Sequence, residues 1–269
     1  MLRPIATSIA AVLLALAADS EKPQPTPVRH PEGLVHGYLA LRTLSGETLA
    51  AGDLLQQARG DEVSSRLVFH FKDGSLHQED ATFSQRGHFR LRSYRLQQKG
   101  PAFEHPLGVT IDGERGVVTV RYTDEDGKER VESEQLELPP DLANGLVPVL
   151  LKNGKPEEPP TMHFVAATPK PRVVRLETTA VGEAPFVVAG DTRKAVHYVL
   201  KVEIGGLTGF FAKLLGKQPP DTHVWIQHGD FPAFVRSEGP LAVGGPAWRI
   251  ELTGPRWEND GTGASGAER

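Results

Sequence analysis

Alternating apolar and polar residues run through most of the chain, and this period of two is typical of half-buried β-strands. The clearest example is Ser64–Phe83, SSRLVFHFKDGSLHQEDATF, in which two alternating runs flank Asp73-Gly74. Because Asp-Gly favours a two-residue hairpin turn, the pattern predicts a β-hairpin at this point. In that register Phe71 faces Leu76 and His70 faces His77.

The same alternation recurs before and after the middle of the chain, and it predicts about a dozen antiparallel strands. The first group continues through His88–Gln98 and Gly108–Leu138, with turn signals at Asp112-Gly113 and Asp126-Gly127. Later segments are short and follow one another closely: Met162–Thr168, Arg172–Thr179, Pro185–Gly190, Ala195–Ile204, Thr222–Gln227, Ala233–Glu238 and Ala247–Thr253. This spacing predicts a mainly β protein with one large curved antiparallel sheet, a half-barrel or open barrel, and one or two short helices.

Two apolar segments interrupt the alternation with helical spacing. In Leu138–Gly154, four residues form one helical stripe, Asp141 could cap the start and Gly154 could close the end. Gly145 and Pro148 weaken this helix, so it should persist only if its stripe is buried. The second segment, Gly205–Pro220, has an apolar stripe that includes Phe210, Phe211 and Leu214. Both helices are expected to pack against the sheet.

The termini differ in character from the central region. Residues 1–17 combine Arg3, an apolar run and a small-residue cleavage signal before Ala18, which is typical of a signal peptide and predicts a periplasmic or secreted protein. The alternative is a retained anchor, although the run is short for a membrane-spanning helix. Residues 18–32 are proline-rich and predict an extended linker, residues 33–257 a single β-rich domain, and residues 258–269 a disordered tail.

The composition of the chain argues against several classes of binding partner and catalytic group. The formal net charge is −4, no concentrated basic surface indicates nucleic acid, and no apolar run after the signal peptide is long enough to span a membrane. The chain has 0 cysteines, which excludes a disulfide framework, a thiol nucleophile and an N-terminal lipid on cysteine. The chain contains neither the G-x-S-x-G spacing of a nucleophile elbow nor the glycine spacing of a phosphate-binding loop. We therefore expect no cofactor and no catalytic residue.

Three clusters of side chains remain as candidates for other chemistry. His70, His77 and Glu79 would share one hairpin face and could bind a metal ion, although the same face carries cationic side chains and can equally be a solvated surface. His223 and His228 would point to opposite faces, so a turn is favoured over a site. A group of basic residues could bind an anionic head group or an acidic polymer, but an ordinary sheet face of mixed charge is favoured. The basic residues are Arg86, His88, Arg90, Arg92 and Arg95.

A resemblance adds to this interpretation. The signal peptide, the many-stranded antiparallel body, the inserted helix and the hairpin THVWIQHGDFPAFVRSEGP, Thr222–Pro240, resemble exported bacterial β-proteins of unknown function. These are similar in shape to the LolA/LolB lipoprotein carriers, and the resemblance implies a half-barrel with a helical lid and an apolar cavity. The chain lacks the lipobox cysteine of the LolB type, and no functional residue can be transferred by motif.

The leading hypothesis is therefore a soluble periplasmic protein that binds an apolar or lipid-like ligand between sheet and helices. The alternative is a non-catalytic envelope structural or interaction module with a self-filled core and an envelope protein partner, and the third is a metal-assisted hydrolase using His70, His77 and Glu79. The predicted ligand-lining residues are Leu146, Val149, Leu150, Phe210, Phe211, Leu214, Trp225 and Trp248.

Overall fold

The computed structural model describes residues 23–124, 126–188, 190–203 and 220–253. Within these ranges, fourteen strands form one sheet and there is one short helix, α1 (Val147–Asn153). The strands are β1 (Val35–Thr43), β2 (Thr48–Arg59), β3 (Glu62–Phe71), β4 (Leu76–Ser84), β5 (Arg90–Lys99), β6 (Leu107–Asp112), β7 (Val117–Thr123), β8 (Glu129–Gln135), β9 (Met162–Ala166), β10 (Arg172–Val188), β11 (Asp191–Glu203), β12 (Thr222–Gln227), β13 (Ala233–Pro240) and β14 (Ala247–Thr253).

The sheet is antiparallel throughout and its topology is simple. Its strand order is β8-β7-β6-β5-β4-β3-β2-β1-β14-β13-β12-β11-β10-β9, so every neighbouring pair is consecutive in sequence except β1 and β14. Leu41 pairs with Ile250 at that central junction. In the described part of the chain β8 and β9 remain at the two edges, and the sheet is curled but not closed. The prediction of a mainly β protein with a large curved antiparallel sheet is confirmed.

Two differences from the predicted strands have local causes. The alternation analysis left Val35–Arg59 unassigned, and the structure places β1 and β2 there, at the centre of the sheet. The predicted segments Arg172–Thr179 and Pro185–Gly190 belong to a single strand, β10, with a register shift between Ala180 and Gly182. The bulge at this shift interrupts the alternation, which made one long strand look like two.

Two apolar clusters fill the inside of the curl. The main core combines side chains from both halves of the sheet, including Phe83 of β4, Val120 of β7 and Tyr198 of β11, around the segment that contains α1. The second core lies between β1, β3 and β14 and includes Phe69 and Trp248. Since side chains from strands far apart in the sheet meet in one cluster, the sheet wraps around the helix.

The helix is shorter than the sequence predicted. It begins at Val147, so Pro148 lies in the first turn, where its missing N–H costs no helical hydrogen bond. Gly145 precedes the helix with φ 73°, and Gly154 follows it as predicted, with its N–H bonded to Leu150. Asp141 does not cap the helix. Its carboxylate instead accepts hydrogen bonds from Thr161 Oγ1 (2.9 Å) and bonds to His163 Nδ1 (2.8 Å).

Residues 23–33, here called the N-terminal strap, pack against the body of the domain. Pro27 bridges to His88, and the backbone N–H groups of residues 29 and 30 donate to Asn153 Oδ1 at 2.8 and 2.7 Å. Glu32 is buried, with its carboxylate 2.5 Å from Lys152 Nζ and accepting from Gln56 Nε2 at 2.7 Å. The strap therefore joins the end of α1 to the sheet. None of the described helices has the length and hydropathy that a membrane span requires.

Candidate functional site

The space between sheet and helix is filled by the protein's own side chains. Leu146, Val149 and Leu150 retain only 1%, 6% and 2% of their accessible surface, and all three belong to the main core. Sequence reasoning placed these residues between sheet and helix, and that is where they lie. The other predicted helical residues, Phe210, Phe211 and Leu214, fall outside the described residues.

Two surface cavities of the described residues differ in character, because the larger has more apolar than polar lining and the smaller is mainly polar. The larger, about 490 Å³, is an open groove across the outer face of β4–β7. Its lining includes Thr82, Arg95, Thr110, Asp112 and Thr119. The smaller, about 130 Å³, lies between Arg90 and the Pro139-Pro140 turn. Leu146, Val149 and Leu150 line neither cavity.

The two predicted tryptophans have different surroundings. Trp248 is buried in the second core, where its ring lies 5.5 Å from Phe71 and 6.1 Å from Phe103. Trp225 alternates with the buried residues Val224 and Ile226 along β12, so its side chain lies on the outer face of the sheet. Trp225 thus lies on the face opposite to the buried Val224 and Ile226, and its contact with a ligand stays a prediction.

The proposed metal cluster of the first hairpin is not assembled. Phe71 N–H bonds to the Ser75 carbonyl, so three residues rather than two form the loop, and His77 pairs with Phe69 while His70 pairs with Leu76. This shift of one residue places His70 on the exposed face and His77 in the interior. The predicted sharing of one face by His70, His77 and Glu79 is therefore wrong. Among the described residues no three His, Cys, Asp or Glu side chains converge on a metal position.

His77 and Glu79 instead form an internal polar network. His77 Nε2 lies 2.9 Å from Glu79 Oε1, His77 Nδ1 lies 3.0 Å from Gln98 Nε2, and Tyr94 donates its hydroxyl to Glu79 Oε2 at 3.1 Å. Burial raises the pKa of Glu79, but the hydrogen bond and charge of His77 and the hydrogen bond from Tyr94 outweigh it, so the pKa lies below the ordinary range. Burial and the charge of Glu79 raise the pKa of Tyr94. These partners mutually satisfy one another, which indicates a structural network.

The predicted basic concentration is a surface of mixed charge. Arg86 pairs with Asp61 at 2.7 Å, and Arg92 pairs with Glu114 at 2.8 Å. The guanidinium of Arg95, which lines the larger groove, makes no hydrogen bond or ion pair with the residues that the structure describes. Because opposite charges are interspersed along this face, it does not present a continuous cationic surface.

The outer face of β11–β13 carries an aromatic and basic cluster that sequence reasoning missed. His197 Nε2 lies 2.8 Å from His223 Nδ1, and the His197 ring stacks on Trp225 with centroids 4.3 Å apart and an angle of 9°. The guanidinium of Arg236 lies over Trp225, 5.4 Å from its centroid. Spacing along the chain related His223 to His228, whereas the residue that contacts His223 is His197 on the neighbouring strand β11.

His228 has a separate role at the end of β12. Its Nε2 lies 2.8 Å from the hydroxyl of Tyr198, a fully buried residue of the main core. Burial and the charge of Glu157 raise the pKa of Tyr198 to about 12. The predicted turn at His228 thus fits its position after β12, and this histidine and His223 lie in different surroundings.

A two-stranded extension projects from the sheet at β10 and β11. β9 pairs with β10 only as far as Leu176, and β12 pairs with β11 only from Val196 onward. Residues 184–188 and 191–195, here called the ribbon, therefore pair with each other and with no further described strand, whereas residues 177–183 lie against residues 196–201 of β11. The ribbon exposes Val187 and Val188, with 68% and 46% of their accessible surface, and Val181, at the register shift before the ribbon, is 54% exposed. Exposed aliphatic side chains of this kind are typical of interaction surfaces when they cluster.

Comparison with known proteins gives limited information. No family model and no curated protein matches the chain. Among solved structures, the chain is similar to a beta-barrel-like protein of domain of unknown function DUF1849 from Brucella abortus. The two share 10% identity over 83% of this chain and 98% of that chain, with a TM-score of 0.45. The fold assignment accordingly stands on the strand pairing of the chain itself.

Proposed function

We propose that this chain is an exported, non-catalytic interaction module that contacts a protein partner through the ribbon. The observation that carries the proposal is the projection of the ribbon beyond both neighbouring strands with Val187 and Val188 exposed near its end. The packed interior supports it further, because Leu146, Val149 and Leu150 are buried in the main core and line neither of the two surface cavities described above.

The charges of the ribbon favour an apolar surface on the partner. Glu183, which directly precedes the ribbon, forms an ion pair of 3.1 Å with Lys194, and Asp191 and Arg193 contribute one further charge of each sign. Because these charges offset one another, long-range attraction to a strongly acidic or basic partner is weak. The exposed valines supply the hydrophobic contact area instead.

Site-specific crosslinking tests this proposal. A photoreactive amino acid at Val187 in the full chain, expressed in its host, should capture one defined protein, whereas the same group at Leu55, 50% exposed on β2, should not. After identification by mass spectrometry, the purified partner should bind the Val187→Ser/Val188→Ser variant at least tenfold more weakly than the unmodified chain. A Leu55→Ser variant provides the matched control.

Equal affinity of the ribbon variant and the unmodified chain for the purified partner would contradict the proposal. Capture of a second copy of this chain at Val187 would also contradict it, and would assign the ribbon to self-association.

The second candidate is the carrier of an apolar ligand that the similarity to LolA/LolB implies. A curled sheet that does not close among the described residues and the apolar sequence around Phe210, Phe211 and Leu214 favour it. Native mass spectrometry of protein purified from its host distinguishes the two functions. A co-purifying lipid that is lost in a Phe210→Ser/Phe211→Ser variant supports the carrier, and its absence supports the interaction module.

Export is tested separately. The sequence of residues 1–17 leads us to expect mature protein that begins at Ala18 and fractionates outside the cytoplasm. Intact-mass measurement of the protein from its host shows whether the chain is cleaved before Ala18. An Ala15→Asp/Ala17→Asp variant, which should not be cleaved, is the control. An unprocessed protein that stays in the cytoplasm would exclude an envelope role.

A further inference from the structure

The His197–His223 pair has a geometry that directs two ring nitrogens at one point. His197 faces Trp225 and His223 faces Val199 in the register of β11 and β12, so the two histidines are diagonal neighbours on the outer face. Their facing nitrogens are 2.8 Å apart and their ring centroids 5.1 Å apart. The gap between the nitrogens and the radii of the two rings together account for the centroid separation, so the nitrogens lie close to the line that joins the centroids.

The separation of the two rings is close to that of two imidazole ligands of one metal ion. Metal–nitrogen bonds of about 2.0–2.1 Å at a tetrahedral angle separate two ligand nitrogens by about 3.3 Å. The nitrogens would therefore have to move apart by about 0.5 Å, and each ring would have to turn by about 35° so that both lone pairs point at the ion instead of at each other. Both rings are partly exposed, so water molecules can complete the coordination sphere.

The surrounding charges are mixed and permit a cation. Glu238 of β13 lies opposite His223 in the sheet, and its carboxylate is also bonded to Arg249 at 2.7 Å. Arg236 is held over Trp225 and paired with Glu251 at 3.2 Å.

We infer that the His197–His223 pair binds one divalent transition-metal ion of the kind that prefers imidazole nitrogen. Coordination bonds form from His197 Nε2 and His223 Nδ1, and water is displaced from the ion. In the neutral pair one ring donates its N–H to the other, so that proton shifts to the opposite nitrogen of the same ring through solvent and no net proton is released. If one ring is already protonated, binding releases one proton, and affinity therefore falls at acidic pH.

The stacked Trp225 provides a reporter for this site. We expect Cu²⁺, added to the full chain without an affinity tag, to bind with a stoichiometry of one and to quench Trp225 fluorescence. Affinity should decrease from Cu²⁺ to Ni²⁺ and to Zn²⁺, following the general order for nitrogen ligands, and Mg²⁺ should not compete. Isothermal titration calorimetry measures the binding independently of fluorescence.

Matched variants distinguish this site from adventitious binding to other histidines. His197→Gln and His223→Gln should each weaken Cu²⁺ binding at least tenfold, while His70→Gln, on the exposed face of β3, should leave it unchanged. Trp225→Phe should abolish the fluorescence change but retain the calorimetric signal. Circular dichroism verifies that each variant is folded. Binding that persists in both histidine variants, or no saturable binding by the unmodified chain, would overturn the inference.

Discussion

At the scale of single residues, an aromatic ring approaches Gly52 so closely that no side chain fits there without a shift. A Cβ atom at Gly52 of β2 would lie 2.4 Å from Phe69 Cε1 and 3.2 Å from Leu39 Cβ. Phe69 is fully buried in the second core, so its ring has little space into which it could move. Glycine is used at this position because its neighbour on β3 occupies the volume of a side chain.

A Gly52→Ala variant should therefore lose about 1–3 kcal/mol of unfolding free energy, the usual range for overpacking a core. Urea unfolding measures the loss. Gly33→Ala is the control, since no atom lies within 4 Å of its added Cβ. Equal stability of the two variants would show that Phe69 can move away without cost.

The hydrogen bond between Tyr94 and Glu79 leads to a pH-dependent prediction. Tyr94→Phe should lower the unfolding free energy by about 1.5–3 kcal/mol at neutral pH, as expected for a hydrogen bond to a charged group. Because the folded-state pKa of Glu79 is lower than that of the unfolded chain, its contribution is present above the ordinary value of about 4.3 and is lost as pH falls through the lowered folded value.

The loss caused by Tyr94→Phe should accordingly be smaller in urea unfolding at acidic pH than at pH 7. Tyr122→Phe serves as the control, because the Tyr122 hydroxyl makes no hydrogen bond to the described residues. The same loss at both pH values would mean that ionised Glu79 is not the acceptor that matters.

Residue-level prediction from sequence succeeded where it depended on alternation and failed where it depended on register. In the predicted strand Ala195–Ile204, the alternating residues Val196, Tyr198 and Leu200 are buried. The Asp73-Gly74 turn was located correctly, but one additional loop residue separated His70 from His77. The His197–His223 contact crosses between strands whose register the intervening sequence does not encode, so chain spacing alone could not reveal it.

At the scale of elements, the short helix depends on its surroundings. α1 has only seven residues and no side-chain cap at its start, so isolated helix propensity cannot maintain it. Its contacts with the main core and the Asn153 side chain, which bonds to the Val149 carbonyl at 2.9 Å and accepts from the strap, hold it in place. The sequence correctly predicted a helix that needs burial, but its predicted start was too early because Asp141 bonds to His163 instead.

Two substitutions in α1 should lower the free energy of unfolding by very different amounts. Leu150→Ala should cost about 2–5 kcal/mol, because it removes a fully packed aliphatic side chain. Pro148→Ala should cost only about 0.4–1 kcal/mol, since proline in the first turn mainly restricts the unfolded chain. Thermal or urea unfolding compares them. A large stabilisation by Pro148→Ala would instead mean that the helix extends further toward Asp141.

At the scale of the whole molecule, the N-terminal strap connects parts of the fold that are distant in sequence. Glu32 is joined to Lys152 of α1, to Gln56 of β2 and, through its backbone, to Gln85 after β4. The proline content of residues 18–32 suggested a linker, and the described part of that segment packs onto the domain. Glu32 is buried in this segment, although nothing in the proline-rich sequence around it indicates burial.

Removal of the Glu32 carboxylate should therefore be costly. Glu32→Gln should lower the unfolding free energy by about 3–5 kcal/mol, the range for breaking a buried ion pair from one side. The Glu32→Gln/Lys152→Met variant should recover part of that loss because no unpaired charge stays buried. Asp61→Asn, in an exposed pair with Arg86, should change stability by about 0–1 kcal/mol. An equal effect of Glu32→Gln and Asp61→Asn would contradict a stabilising role for the strap.

The pairing of β1 with β14 has a consequence for the order of folding. All other strand neighbours are consecutive in sequence and can form during synthesis, but β1 must wait for the last described strand. Until then, an unpaired β1 edge is exposed in the middle of the future sheet and is open to wrong partners. The segment between β8 and β9 is consequently a natural place to divide the chain, and two separately produced halves, β1–β8 and β9–β14, should reassemble by completing this one pair of strands.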